Sequence, residues 1–119
     1  MGTILIIEDE LPIANLLKIR FEAEGFKAQI ALSAAECLKK IMTAIPDAIT
    51  LDITLPDCRG FGLLQVLKCN QKTAKVPIIV ISSSDEAESA AEIGAVSVIS
   101  KPIDFKRLLE VLKKVCGSK

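Results

Sequence analysis

The chain has 119 residues, half of them hydrophobic, and its 15 basic residues balance 15 acidic ones. That length fits one domain able to bury a core, so residues 1–119 are expected to form a single domain. Zero net charge speaks against direct nucleic-acid binding, which asks for a basic face, and no apolar stretch reaches the roughly eighteen residues of a membrane span.

Further exclusions follow from individual residue types. The start, Met1-Gly2-Thr3, lacks a charged region followed by an apolar signal core, so a soluble, cytoplasmic protein with no membrane contact is expected. The four aromatic residues are all Phe, which makes the core aliphatic. There is no histidine, which excludes Ser-His-Asp and Cys-His catalysis and a phosphohistidine on this chain. Any phosphoryl group therefore arrives from another molecule. Cys37, Cys58, Cys69 and Cys116 form no C-x-x-C pair and read as reduced thiols of a cytosolic protein.

Thr3-Ile4-Leu5-Ile6-Ile7 is a β-branched run ended by acids, the pattern of a strand buried on both faces. Over residues 11–24, Ile13, Leu16, Leu17 and Phe21 recur at helical spacing, with Pro12 tolerated in the first turn and Gly25 as a left-handed cap. Residues 27–31 are a weaker strand. Ser33 caps a second helix, with Glu36 completing a capping-box pattern and Cys37, Leu38, Ile41 and Met42 as its apolar stripe. Pro46-Asp47 precedes a third strand ending at Asp52.

Residues 60–70 predict a third helix with Phe61, Leu64 and Leu67 inward. Ile78-Ile79-Val80-Ile81 is the clearest strand in the chain. Residues 86–93 form a short fourth helix stopped by Gly94, residues 96–99 a fifth strand, and residues 104–116 a closing helix carrying Leu108, Leu109, Leu112 and Val115. Strand and helix alternate throughout without a hairpin signal, which predicts an α/β fold: a doubly wound, flavodoxin-like parallel sheet with helices on both faces. Right-handed crossovers favour the strand order 2-1-3-4-5, with ligands beyond the carboxyl ends of the strands where the order reverses, between strands one and three.

Those two strands end in Glu8-Asp9 and Asp52. Converging carboxylates repel one another unless a cation neutralises them, and an all-oxygen cluster selects a hard cation such as magnesium. A carboxylate can also act as a nucleophile. Phosphoryl transfer needs an in-line attacker, a metal on the equatorial oxygens and further cationic or hydroxylic donors. Asp52 is placed to attack, Lys101 to neutralise one oxygen and Ser82 to donate to another, although periodicity does not separate Ser82 from Ser83. Glu10, beside a helix start, reads equally well as an acid favoured by the helix dipole.

Ile4-Leu5-Ile6-Ile7-Glu8-Asp9-Glu10, Leu51-Asp52-Ile53-Thr54-Leu55-Pro56, Gly60, Pro77-Ile78-Ile79-Val80-Ile81-Ser82, Gly94-Ala95 and Lys101-Pro102 resemble, together and in this order, the receiver domain of response regulators in two-component signalling. The spacing of 43 residues from Asp9 to Asp52 and 30 from Asp52 to Ser82 makes the combination specific. The resemblance implies that Asp52 accepts a phosphoryl group from a sensor histidine kinase or phosphotransfer protein. It further implies that Glu8, Asp9, Asp52 and the Thr54 carbonyl hold Mg2+, and that Lys101 and Ser82 engage the phosphoryl group. It also implies a cis Lys101–Pro102 bond, catalysis limited to the domain's own phosphorylation and dephosphorylation, and a downstream protein target.

Two departures bear on output. Ser82 to Lys101 spans 19 residues, fewer than most family members show, which shortens the fourth helix. Val98 stands where the family usually has Tyr or Phe, so a rotating aromatic ring cannot carry the signal, and a change in order of residues 83–93 is expected instead. Both departures favour the alternative of a phosphorylation-independent interaction module; the intact Asp9, Asp52 and Lys101 oppose it. A free-standing magnesium phosphatase needs a cap to exclude water, for which the chain leaves no room.

Overall fold

The computed structural model describes residues 2–53, 60–82, 90 and 93–116. Five parallel strands, β1 (Thr3–Ile7), β2 (Lys27–Ala31), β3 (Ala48–Asp52), β4 (Ile78–Ser82) and β5 (Ser97–Ser100), form one sheet in the order β2-β1-β3-β4-β5. Between and after them run α1 (Leu11–Ala23), α2 (Ala34–Thr43), α3 (Gly60–Cys69) and a closing helix, α4 (Phe105–Cys116). The doubly wound topology is the one expected, and β1 and β3 pair at the point where the order reverses.

The three inner strands are aliphatic on both faces because both faces are covered. Leu5, Ile7, Ile49, Leu51, Ile78 and Val80 pack on one face with the inward residues of α2 and α3. Ile4, Ile6, Ala48, Ile79 and Ile81 pack on the other with α1 and α4. Each such Ile or Leu contributes about 1.5–3 kcal/mol through burial, so the sheet is the rigid platform from which the strand ends project. Val98 is partly buried and packs on the α2–α3 face.

Helix ends follow local chemistry. Ser33 Oγ accepts from the Glu36 N–H at 3.2 Å, while the Glu36 carboxylate reaches the Leu32 N–H, one residue earlier than a capping box requires. Helix α1 closes at Gly25, φ 94°, where the Phe26 N–H reaches the Phe21 carbonyl at 3.1 Å in the manner of a Schellman cap.

Helix stripes are narrower than the sequence suggested. In α1 the buried seam is Ala14, Leu17 and Phe21, at i, i+3 and i+7, and Leu16 faces solvent. In α2 it is Ala34, Cys37 and Ile41; Leu38 and Met42 are exposed. In α3, Leu63 joins Leu64 and Leu67 in the core, and the Phe61 side chain lies outside the described residues. One helix on a flat sheet buries about a third of its circumference, so an apolar residue one position off the seam is left out. The fifth strand starts at Ser97, with Val96 exposed before it. Of the expected helix over residues 86–93, only helical Ala90 and Ile93 are described, followed by Gly94 at φ 124°; its length, and the segment 83–89 proposed to carry a signal, lie outside the described residues.

Candidate functional site

Four strand ends meet at the carboxyl edge of the sheet. Glu8 prolongs β1, its N–H donating to the Ala31 carbonyl at 3.0 Å. Asp52 is the last residue of β3 and Ser82 the last of β4. Lys101 follows β5, and its N–H donates to the Ser82 carbonyl at 2.9 Å. The Lys101–Pro102 bond is cis, as the resemblance implied.

Within this edge, the Lys101 ammonium donates to Asp52 Oδ2 at 2.9 Å. Glu8, Asp9 and Asp52 each offer a carboxylate oxygen, and these oxygens lie within 4.8 Å of one another. Glu8 is 1% exposed, Asp52 and Ser82 are buried, and Asp9 is open to solvent. The structure thus brings together Glu8, Asp9, Asp52 and Lys101, with Ser82 at the neighbouring strand end. Thr54 and Ser83 lie outside the described residues.

The electrostatics are those of a site built for more charge than the chain supplies. Burial first, and then the adjacent Asp52 carboxylate, push the Glu8 carboxyl from its ordinary 4.5 up to about 8. Burial would by itself lower the Lys101 ammonium, but Asp52, Glu8 and Glu10 outweigh it and hold the group above its usual value. Glu8 Oε2 accepts the Glu10 N–H at 3.1 Å, whereas Glu8 Oε1 is buried with no hydrogen-bond partner among the described residues. Leaving a buried oxygen unmet costs about 1–3 kcal/mol, more if it is charged. A buried carboxylate with an unmet oxygen, grouped with those of Asp9 and Asp52, fits a divalent cation: the donors are hard oxygens, and Asp9 is open to solvent.

The sequence reading gave the Glu10 main chain no part, yet its N–H orients Glu8. The signal was present in the i, i+2 spacing of two acids at a strand–helix junction, where a carboxylate can bend onto a nearby backbone donor.

Comparisons with known proteins agree with this geometry. The family model for the response regulator receiver domain matches residues 4–113. The phosphate regulon transcriptional regulatory protein PhoB of Pseudomonas aeruginosa is 33% identical over 116 residues, which is 95% of this chain and 51% of that protein. The chain thus spans about half the length of that relative, and 24% of an NtrX-like regulator of Rickettsia typhi that is 32% identical over 118 residues, 95% of this chain. Among solved structures, the signal receiver domain of a DNA binding response regulator from Colwellia psychrerythraea superposes with TM-score 0.92 at 25% identity, covering 99% of this chain and 100% of that one. With the acidic cluster at the switch point and the match spanning nearly every element, the chain belongs to the response-regulator receiver domain family.

Proposed function

We propose that Asp52 is the phosphoacceptor, that Glu8, Asp9 and Asp52 hold Mg2+ with the Thr54 carbonyl, and that Lys101 and Ser82 receive the phosphoryl oxygens. The observation that carries this reading is the buried Asp52 carboxylate set 2.9 Å from the Lys101 ammonium and beside the orphaned Glu8 oxygen. The donor is a phosphohistidine on a sensor kinase or phosphotransfer protein. An Asp52 oxygen forms a bond to phosphorus as the donor's P–N bond breaks; the imidazole keeps the electron pair and takes up a proton. Bound magnesium supplies charge neutralisation at the phosphoryl oxygens. Lys101 gives up part of its bond to Asp52 and follows the new negative charge, which its raised pKa keeps it fit to do at neutral pH.

Residues 1–119 act as one receiver unit whose catalysis is confined to its own phosphorylation and dephosphorylation. No helix among the described residues is long and apolar enough to cross a membrane, in keeping with a cytoplasmic setting. The test is incubation with a small-molecule phosphodonor and Mg2+, followed by intact mass. One phosphoryl addition is expected in the wild type and none in Asp52→Asn or in excess chelator. Labelling that persists in either would sink the assignment.

A further inference from the structure

Near the carboxyl end of α3, Lys68 is held along its whole length. Glycine at position 94, φ 124°, leaves the room in which its stem lies: a Cβ there would stand 3.3, 3.4 and 3.6 Å from Lys68 Cγ, Cδ and Cε. At the far end, Lys68 Nζ donates to the Ala74 and Val76 carbonyls at 3.2 and 2.8 Å. Those carbonyls belong to the turn between α3 and β4, which Thr73 also pins, its buried hydroxyl donating to the Leu67 carbonyl at 2.5 Å. Among the described residues no carboxylate pairs with Lys68; the two ion pairs there use Lys101 and Lys113. The residue is nevertheless only partly buried.

This seat suits an amine better than an ammonium. An ammonium offers three N–H groups and no lone pair, whereas the neutral amine offers two N–H groups and a lone pair. Two carbonyls therefore satisfy the neutral form fully and the charged form only in part. The lone pair is left as the one side of the nitrogen not committed to the described chain. Burial without a compensating acid holds the ammonium below its ordinary value. A desolvated lysine of this kind is a nucleophile. Its packed stem has already given up the rotamer freedom that an exposed lysine loses on reacting. Lys72 and Lys75, exposed in the same turn, add positive charge that draws in an anionic reagent.

We propose that Lys68 is an acylation site whose amine takes the acyl group of a small anionic donor, an acyl phosphate. After the ammonium loses a proton to solvent, the nitrogen bonds to the acyl carbon and the bond from that carbon to the phosphate oxygen breaks. Phosphate leaves with the electron pair, and the nitrogen gives a second proton to water. Nothing is oxidised or reduced. The amide product keeps a single N–H, so one of the Ala74 and Val76 carbonyls loses its donor and the turn leading into β4 loosens. The reaction uses neither Asp52 nor a metal, and is expected equally in Asp52→Asn.

The probe is isotopically labelled acetyl phosphate in excess chelator, with the acetyl label mapped by peptide mass at low total modification. Lys68 should acquire acetyl at least about tenfold faster than its neighbours Lys72 and Lys75, and the preference should vanish in urea. Residues 73–76 should then exchange their amide hydrogens faster in the acylated protein. Lys68→Arg, which keeps the charge and the donors, should fold and lose this label. Acetyl arriving at Lys68 no faster than at Lys72 or Lys75, or a preference that survives in urea, would overturn the proposal. Unchanged exchange in residues 73–76 after acylation would overturn it as well, because the amine would then not be holding the turn.

Discussion

The proton on Glu8 gives the site its most direct test. The carboxyl is raised from 4.5 to about 8 by burial and by Asp52, so the metal-free folded protein holds this proton across a range where the unfolded chain has released it. Stability then changes with pH according to the difference in bound protons. Between those two values the folded state binds more, so Glu8 makes the apo protein lose stability as pH rises from about 4.5 to about 8. At 1.36 kcal/mol per unit, the loss between about pH 6 and pH 8 is on the order of 2 kcal/mol. The absence of histidine clears the window, because no other side chain has its ordinary pKa between them.

At the proposed site magnesium should reverse the trend. Its binding would require the ionised Glu8 carboxylate, so affinity is expected to tighten as pH rises, with close to one proton released per ion at about pH 7. Urea denaturation in chelator at both pH values, repeated in millimolar Mg2+, reads the effect. Calorimetry in buffers of different ionisation enthalpy counts the proton. Glu8→Gln should flatten the apo profile. Apo stability that is level or rises from about pH 6 to pH 8, or a slope that survives in Glu8→Gln, would refute the reasoning.

Three other substitutions probe separate parts of the structure. Asp9→Ala removes one exposed carboxylate of the cluster and should abolish most magnesium affinity while leaving the apo melting temperature unchanged or slightly raised, since it relieves repulsion; a fall of many degrees would make Asp9 structural. Thr50→Val replaces a buried hydroxyl that has no hydrogen-bond partner among the described residues, and should stabilise the fold by about 1 kcal/mol in chemical denaturation; a loss of stability would mean that the hydroxyl is satisfied in solution. Gly94→Ala places a Cβ at φ 124° and 3.3 Å from Lys68 Cγ, and should cost more than about 1 kcal/mol; a neutral result in the same assay would show that the turn relaxes freely.

The sequence alone determined the strands, their order and the identity of the acids. Continuous β-branched runs such as Ile78-Ile79-Val80-Ile81 leave few alternatives to strands covered on both faces, and right-handed crossovers prune the topology. Glu8, Asp9, Asp52 and Lys101 were legible because each ends or follows such a run, and a strand end is where side chains leave the core. Which apolar residues of a helix reach the sheet was not legible. Leu16 and Ala14, or Met42 and Ile41, differ by a fraction of a helical turn, and only the docking of each helix decides which is inside. Tertiary structure also decided the chemistry of Glu8. Its elevated pKa and its orphaned oxygen arise from burial against Asp52, a residue 44 positions away in sequence, and desolvation is a property of the packed edge rather than of any local pattern.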